Sequence, residues 1–162
     1  MIHDDQYFMT LAYLTAMRSP DPRTTVGAVI LDREGNLVEV GFNDYPVGVN
    51  GQSPDRKIAP EKYNWIEHAE RNAIYRAARR GISIDGGTMY TNMFPCANCA
   101  RGIIQSGLKH LIYHRDHPNN IVLDDAHQIS FVMMSEAGIS MRAWTGKIIK
   151  ISAMCDGKEF EV

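Results

Sequence analysis

The sequence predicts an α/β domain, a mixed sheet of about five strands sandwiched between helices. Three observations predict it. Two β-rich runs, Thr25 to Leu31 and Leu37 to Phe42, flank a turn-forming stretch. Strand and helix patterns alternate from residue 67 onward, which implies right-handed crossovers and parallel pairing for the later strands. The 162 residues, 44% apolar and 22% charged, are expected to form one domain spanning 1–162.

The same arithmetic excludes several function classes. Uncharged apolar stretches such as Val26 to Leu31 fall far short of the roughly 18 residues a membrane helix needs. The start, Met1-Ile2-His3-Asp4-Asp5, lacks a basic region followed by an apolar one, so a cytoplasmic protein without a membrane partner is expected. With 17 Lys+Arg against 19 Asp+Glu the net charge is −2, which offers no field for a nucleic-acid polymer.

Each element has its own signal. Phe8, Leu11, Ala12, Leu14 and Met17 give helical spacing from Asp4 to Arg18, capped by Asp4 or Asp5 and stopped by Ser19-Pro20-Asp21-Pro22. Asp32-Arg33-Glu34-Gly35-Asn36 reads as the turn of a hairpin. Asn43 to Ile66 carries Pro46, Gly48, Gly51, Pro54 and Pro60 with little periodicity, and so long an irregular loop is expected to be functional. A helix follows from Glu67 through Ala69, Ala73, Ile74, Ala77 and Ala78 to Arg79-Arg80-Gly81, with cations in its last turn. Strand, helix, strand, helix and strand are then expected over 88–92, 97–106, 110–113, 123–137 and 140–143.

Two short segments carry chemistry, His68-Ala69-Glu70 and Pro95-Cys96-Ala97-Asn98-Cys99, each where loop or strand enters a helix. Cysteines at i and i+3 in a first helical turn point to one side, where free N–H groups favour the thiolates that bind metal. His68 adds an imidazole, making three ligands suited to zinc with a fourth position for water. Glu70, two residues on, projects elsewhere and can serve that water as a proton shuttle. Cys155 is the odd thiol: it either packs as a small apolar residue or closes the site as a fourth ligand, making the zinc a structural staple. Redox use of Cys96 and Cys99 lacks a strand-fed motif to support it.

At these residues the sequence resembles the zinc-dependent cytidine and deoxycytidylate deaminase superfamily, whose signature is His-x-Glu followed by Pro-Cys-x-x-Cys. The resemblance implies a three-layer α-β-α cytidine-deaminase-like fold and one catalytic Zn2+ per subunit on His68, Cys96 and Cys99. It implies that zinc hydroxide attacks C4 of a cytosine while Glu70 moves the proton to N3 and then to the departing amino group. Met93-Phe94-Pro95-Cys96, Ser19-Pro20-Asp21-Pro22 with Val26 to Ile30, and Gly41-Phe42-Asn43-Asp44-Tyr45-Pro46-Val47-Gly48 are similar to the deoxycytidylate (dCMP) deaminase branch. Conversion of dCMP to dUMP for thymidylate synthesis is therefore expected.

The branch resemblance implies a substrate contact at Asn43. The loop Arg18 to Thr25 offers Ser19, Arg23, Thr24 and Thr25 to a phosphate, Arg115 follows a strand whose end is expected near the site, and Ala69 is expected to touch substrate beside His68. The resemblance also implies effector contacts at Asp44 and Arg71, dCTP and dTTP as effectors, Mg2+ accompanying a triphosphate, and a homohexamer. Phe42 and Asp44 depart from the branch's usual tyrosine and glycine, which weakens the expectation of regulation. The loop before His68 has no cysteine for the second zinc that some relatives carry. Trp65 is read as a stacking wall of the base pocket or as core, and His3, His110 and His127 as structural or surface residues. Two other readings stand beside this one: a tRNA adenosine deaminase, disfavoured by the charge balance and by Phe94, and a non-catalytic zinc-stabilised nucleotide sensor.

Overall fold

A computed structural model describes residues 4–117, 125–149, 152–155 and 158–161, with the backbone alone for 125–126 and for those beyond 149. Helix α1 (Asp4–Ala16) leads into a hairpin of β1 (Gly27–Leu31) and β2 (Leu37–Phe42). After a long loop with short 3₁₀ turns at Pro54–Lys57 and Glu61–Asn64 come α2 (Ala69–Arg79), β3 (Thr88–Thr91), α3 (Ala97–Gln105), β4 (His110–His114), α4 (Asp125–Glu136) and β5 (Ser140–Trp144). A second hairpin, β6 (Ser152–Cys155) with β7 (Lys158–Glu161), follows. His3 lies outside the described residues, as does the side chain of Cys155.

The expected mixed sheet is present, in the order β2-β1-β3-β4-β5. β1 pairs antiparallel with β2 and β3, and β3, β4 and β5 run parallel. Side chains alternate across it. Ala28, Ile30, Met89 and Leu111 pack with α2, α3 and α4, whereas Val29, Leu31, Tyr90 and Ile112 pack with α1, so the domain has three layers. Asp5, expected as a cap, instead accepts hydrogen bonds from the Tyr90 hydroxyl and from both terminal nitrogens of Arg142, tying α1 to β3 and β5.

Register places the start of β1 beside the ends of β2 and β3, since Gly27 faces Phe42 and Ala28 faces Thr91. Two buried asparagines clamp this edge. Asn43, just after β2, accepts from the Val26 N–H and donates to the Thr24 carbonyl; Asn92, just after β3, accepts from the Gly27 N–H and donates to the Thr25 carbonyl. The segment entering β1 is therefore held from both sides by directional bonds whose loss would leave buried groups unpaired.

Two glycines let helices lie on the sheet. A Cβ on Gly41 would stand 2.3 Å from the Ala69 carbonyl oxygen, and one on Gly27 would stand 1.9 Å from that of Ala12. Helix α2 presents Ala69, Ala73 and Ala77 to the sheet, and Asn72 donates to the Phe42 carbonyl at 2.8 Å. Gly41→Ala is expected to lower unfolding free energy by about 3 kcal/mol, because the obstructing atom is backbone and cannot rotate away. Denaturant titration of the variant checks this, and a stability equal to wild type would refute the account of the helix seat.

Candidate active site

Helices α2 and α3 both begin at the clamped edge. His68 caps α2 and Cys96 caps α3, each with extended backbone, which turns both side chains out of the helix before its first turn. Helix α2 starts two residues later than the sequence pattern implies because His68 holds this capping geometry. Glu67 supports it, accepting the His68 N–H at 2.8 Å and pairing with Arg71 one turn on.

His68 Nδ1 lies 3.6 Å from Cys96 Sγ and 3.5 Å from Cys99 Sγ. Metal–nitrogen and metal–sulfur bonds of about 2.1 and 2.3 Å in a tetrahedron put such donors about 3.6 Å apart, so the residues fit zinc. Among the described residues these three form one group of potential ligand atoms, and Glu70 is not a member of it.

The electrostatics suit a cation. A hydrogen bond from Cys99, aided by His68, brings the Cys96 thiol down to about 3, and the hydrogen bond with Cys96 raises the His68 imidazole above its ordinary range. Cys99 is pushed the other way, by its bond to Cys96 and by burial. The trio thus shares protons that a divalent ion would displace. Burial also pushes the Glu70 carboxyl upward, opposed by His68.

Glu70 is 3% exposed and lines a cavity of about 230 Å3 with His68, Ala69 and Cys96. Asn43, Thr24, Val26, Met93 and Phe94 form more of its wall, as do Asp21, Lys62, Tyr63, Ile66 and His127. Of the predicted substrate contacts, Asn43, Ala69 and Thr24 are on this wall. Ser19 stands behind it, donating from Oγ to the Asn43 carbonyl at 2.8 Å. Arg23, Thr25 and Arg115 are exposed and line no part of it.

A second cavity, of about 600 Å3, opens beyond the segment 44–52 and is lined by Asp44, Glu67, Lys57, Tyr75, Arg76 and Arg79 among others. Asp44 is on its wall; Arg71 is not, its guanidinium being held by Glu67. Phe42, where a tyrosine is usual, is buried with the guanidinium groups of Arg18 and Arg76 over its ring. Trp65 is no wall of either cavity and instead carries Arg56 on its ring at 3.7 Å.

Sequence reasoning missed Asp21, Lys62, Tyr63 and His127. A lysine and a tyrosine in an irregular loop look like solvated residues, and His127 stands alone in its helix. The remaining signal was the loop itself, whose length without periodicity marks it as functional.

Fold and site together define a zinc-binding deaminase. The chain matches the model of the cytidine and deoxycytidylate deaminase zinc-binding region over residues 2–115 and belongs to that family. It is 37% identical to a deoxycytidylate deaminase of Pongo abelii over 151 residues, covering 90% of this chain and 82% of that protein. It is 36% identical to the Mus musculus deoxycytidylate deaminase over the same shares. The crystal structure of the dCMP deaminase from cyanophage S-TIM5 in complex with dCMP and dUMP superposes with a TM-score of 0.67 at 24% identity, covering 86% of this chain and 95% of that one; it shows the shared fold. Among the described residues no helix is long and apolar enough to cross a membrane.

Cys99→Ser nearly keeps the side-chain shape and removes the buried sulfur. Elemental analysis of the purified variant should show zinc well below the wild-type stoichiometry, whereas unchanged content would remove Cys99 from the ligand set.

Proposed function

We propose that the chain is one catalytic domain that hydrolyses dCMP to dUMP and ammonia. The observation that carries this is the cluster of His68, Cys96 and Cys99 at one nucleotide-scale cavity that His68, Cys96 and buried Glu70 line. The names of relatives at 35–37% identity, all deoxycytidylate deaminases, support the choice of substrate.

His68, Cys96 and Cys99 would hold one zinc per subunit, which when bound polarises water and brings its pKa to about 7. Glu70 receives a proton from the attacking water and delivers it to N3 of the cytosine, then carries a second to the amino group, which leaves as ammonia. Its burial serves the shuttle, because a carboxylate with a raised pKa takes the proton from the water more readily and stays protonated until the ring nitrogen is there to receive it. Asn43 presents its amide from the clamped edge toward the sugar, and Ser19 holds the Asn43 backbone. Aromatic and apolar groups, Phe94, Met93 and Ile66, keep bulk water from the base.

Regulation belongs to the same proposal. The larger cavity offers Lys57, Arg76 and Arg79 to a triphosphate and adjoins the long loop that also walls the smaller one, which supports dCTP and dTTP as effectors. A Mg2+ would arrive chelated by those phosphates. Exposed Tyr75 on α2 and Ile129, Phe131 and Val132 on α4 support assembly of several copies, and a cytoplasmic location is in keeping with free nucleotide substrates.

The zinc-loaded protein is expected to release ammonia from dCMP in preference to CMP, deoxycytidine and dCTP; absence of turnover on every cytosine mononucleotide would overturn the reading. Glu70→Gln should keep its zinc and lose about 10²- to 10⁴-fold in kcat, the range of general acid–base contributions. Retained turnover in that variant would remove Glu70 from the chemistry. Arg79→Ala is expected to blunt the response of KM to dCTP and dTTP while basal kcat stays unchanged. An undiminished response would move the effector site elsewhere.

A further inference from the structure

Lys62 and Asp21 are 41 positions apart, yet their side chains are 3% and 6% exposed and meet at 2.8 Å. Lys62 Nζ donates to both Asp21 oxygens, at 3.0 and 2.8 Å. Two features distinguish this pair from the surface ion pairs of the molecule, such as Arg33–Asp85 with both partners more than half exposed. It is almost fully removed from water, and both members stand on the wall of the catalytic cavity.

Each partner organises its own loop. Asp21 Oδ1 also accepts the N–H groups of Arg23 and Thr24, which shapes the turn that feeds the clamped entry to β1. The carbonyl of Lys62 accepts the N–H groups of Trp65 and Ile66, which fixes the chain just before Glu67 and His68. The far side of the long loop is closed by paired backbone bonds between Asp44 and Glu67, at 3.1 and 2.8 Å. The loop thus has a backbone neck at one side of the cavity and this ion pair at the other.

We propose that the Asp21–Lys62 ion pair is the clasp that seats the long loop over the catalytic cavity, making Lys62 a positioning residue for substrate binding. Because the charges cancel, the clasp adds no net field to the cavity. Its contribution is direction: an ammonium spanning two carboxylate oxygens admits one placement of the loop where apolar packing would admit several. Tyr63, next in the chain and 64% exposed, is thereby held at the cavity mouth.

The decisive variant is the double substitution Asp21→Asn with Lys62→Met. The asparagine side chain keeps an acceptor for the Arg23 and Thr24 N–H groups, methionine keeps the stem, and no uncompensated charge is left buried, so thermal stability should stay close to wild type. With dCMP as substrate, KM is expected to rise at least about tenfold while kcat and zinc content hold, and trypsin is expected to cut faster after Arg56 and Lys57. Lys62→Met alone, which strands a buried carboxylate, should be less stable than the double variant, and Lys62→Arg should recover part of the KM loss. A double variant with wild-type KM and wild-type protease resistance overturns the clasp. The choice of dCMP rests on the proposed function, but the protease comparison does not, so failure of that substrate leaves the clasp decided by cleavage rates alone.

Discussion

Helix α2 lies against β2 with no side chain between them at Gly41, and the positions of His68 and Glu70 follow from that contact. A helix resting on backbone, with alanines at 69, 73 and 77, has its first residue brought to the very end of the strand it covers. His68 is the residue just before that point. A Cβ at Gly41, 2.3 Å from the Ala69 carbonyl oxygen, would have to push α2 off by about 1 Å to reach ordinary contact, and a zinc site tolerates only a few tenths of an ångström. The metal chemistry of this protein therefore depends on a glycine in a strand.

The same edge of the sheet gathers the rest. Antiparallel pairing of β1 brings its entry between the ends of β2 and β3, and Asn43 and Asn92 secure that entry with four hydrogen bonds. Parallel pairing of β3 with β4 and β5 sends α3 and α4 back over one face, so that Cys96 and His127 arrive from different crossovers at the same cavity. Ser130, fully buried on α4, donates to the Pro95 carbonyl at 2.7 Å and fixes the turn that carries Cys96. Asn92 and Ser130 hold backbone here, and Asn43 holds it from the same edge while also standing on the wall of the cavity.

Loops complete what the sheet begins. The two cavities share the long loop: Asp44 and its neighbours wall the larger one, and Lys62, Tyr63 and Ile66 wall the smaller. A molecule seated in the larger cavity would press on a segment whose other end borders the reacting groups, which gives effector control a physical route. Phe42 adds to this neighbourhood. Its ring is buried with the guanidinium groups of Arg18 and Arg76 over it.

What the sequence determined by itself is local in origin. The β-rich runs of the first hairpin and the alanine face of α2 are written in neighbouring residues, so the layers were legible. Cysteines three apart and a histidine two before a glutamate were legible as one cluster of metal-binding side chains with a carboxyl beside it, because a helix start converts spacing into direction. Tertiary structure alone decided the partners that meet across long separations: Asp21 with Lys62, Asp5 with Arg142, and His127 with the cavity. Such pairs leave no periodic trace, since burial of a lysine or the aim of an arginine is set by which loops the sheet brings together. The grouping of His68, Cys96 and Cys99 could thus be read from the residues, and the shape of the cavity beside them could not.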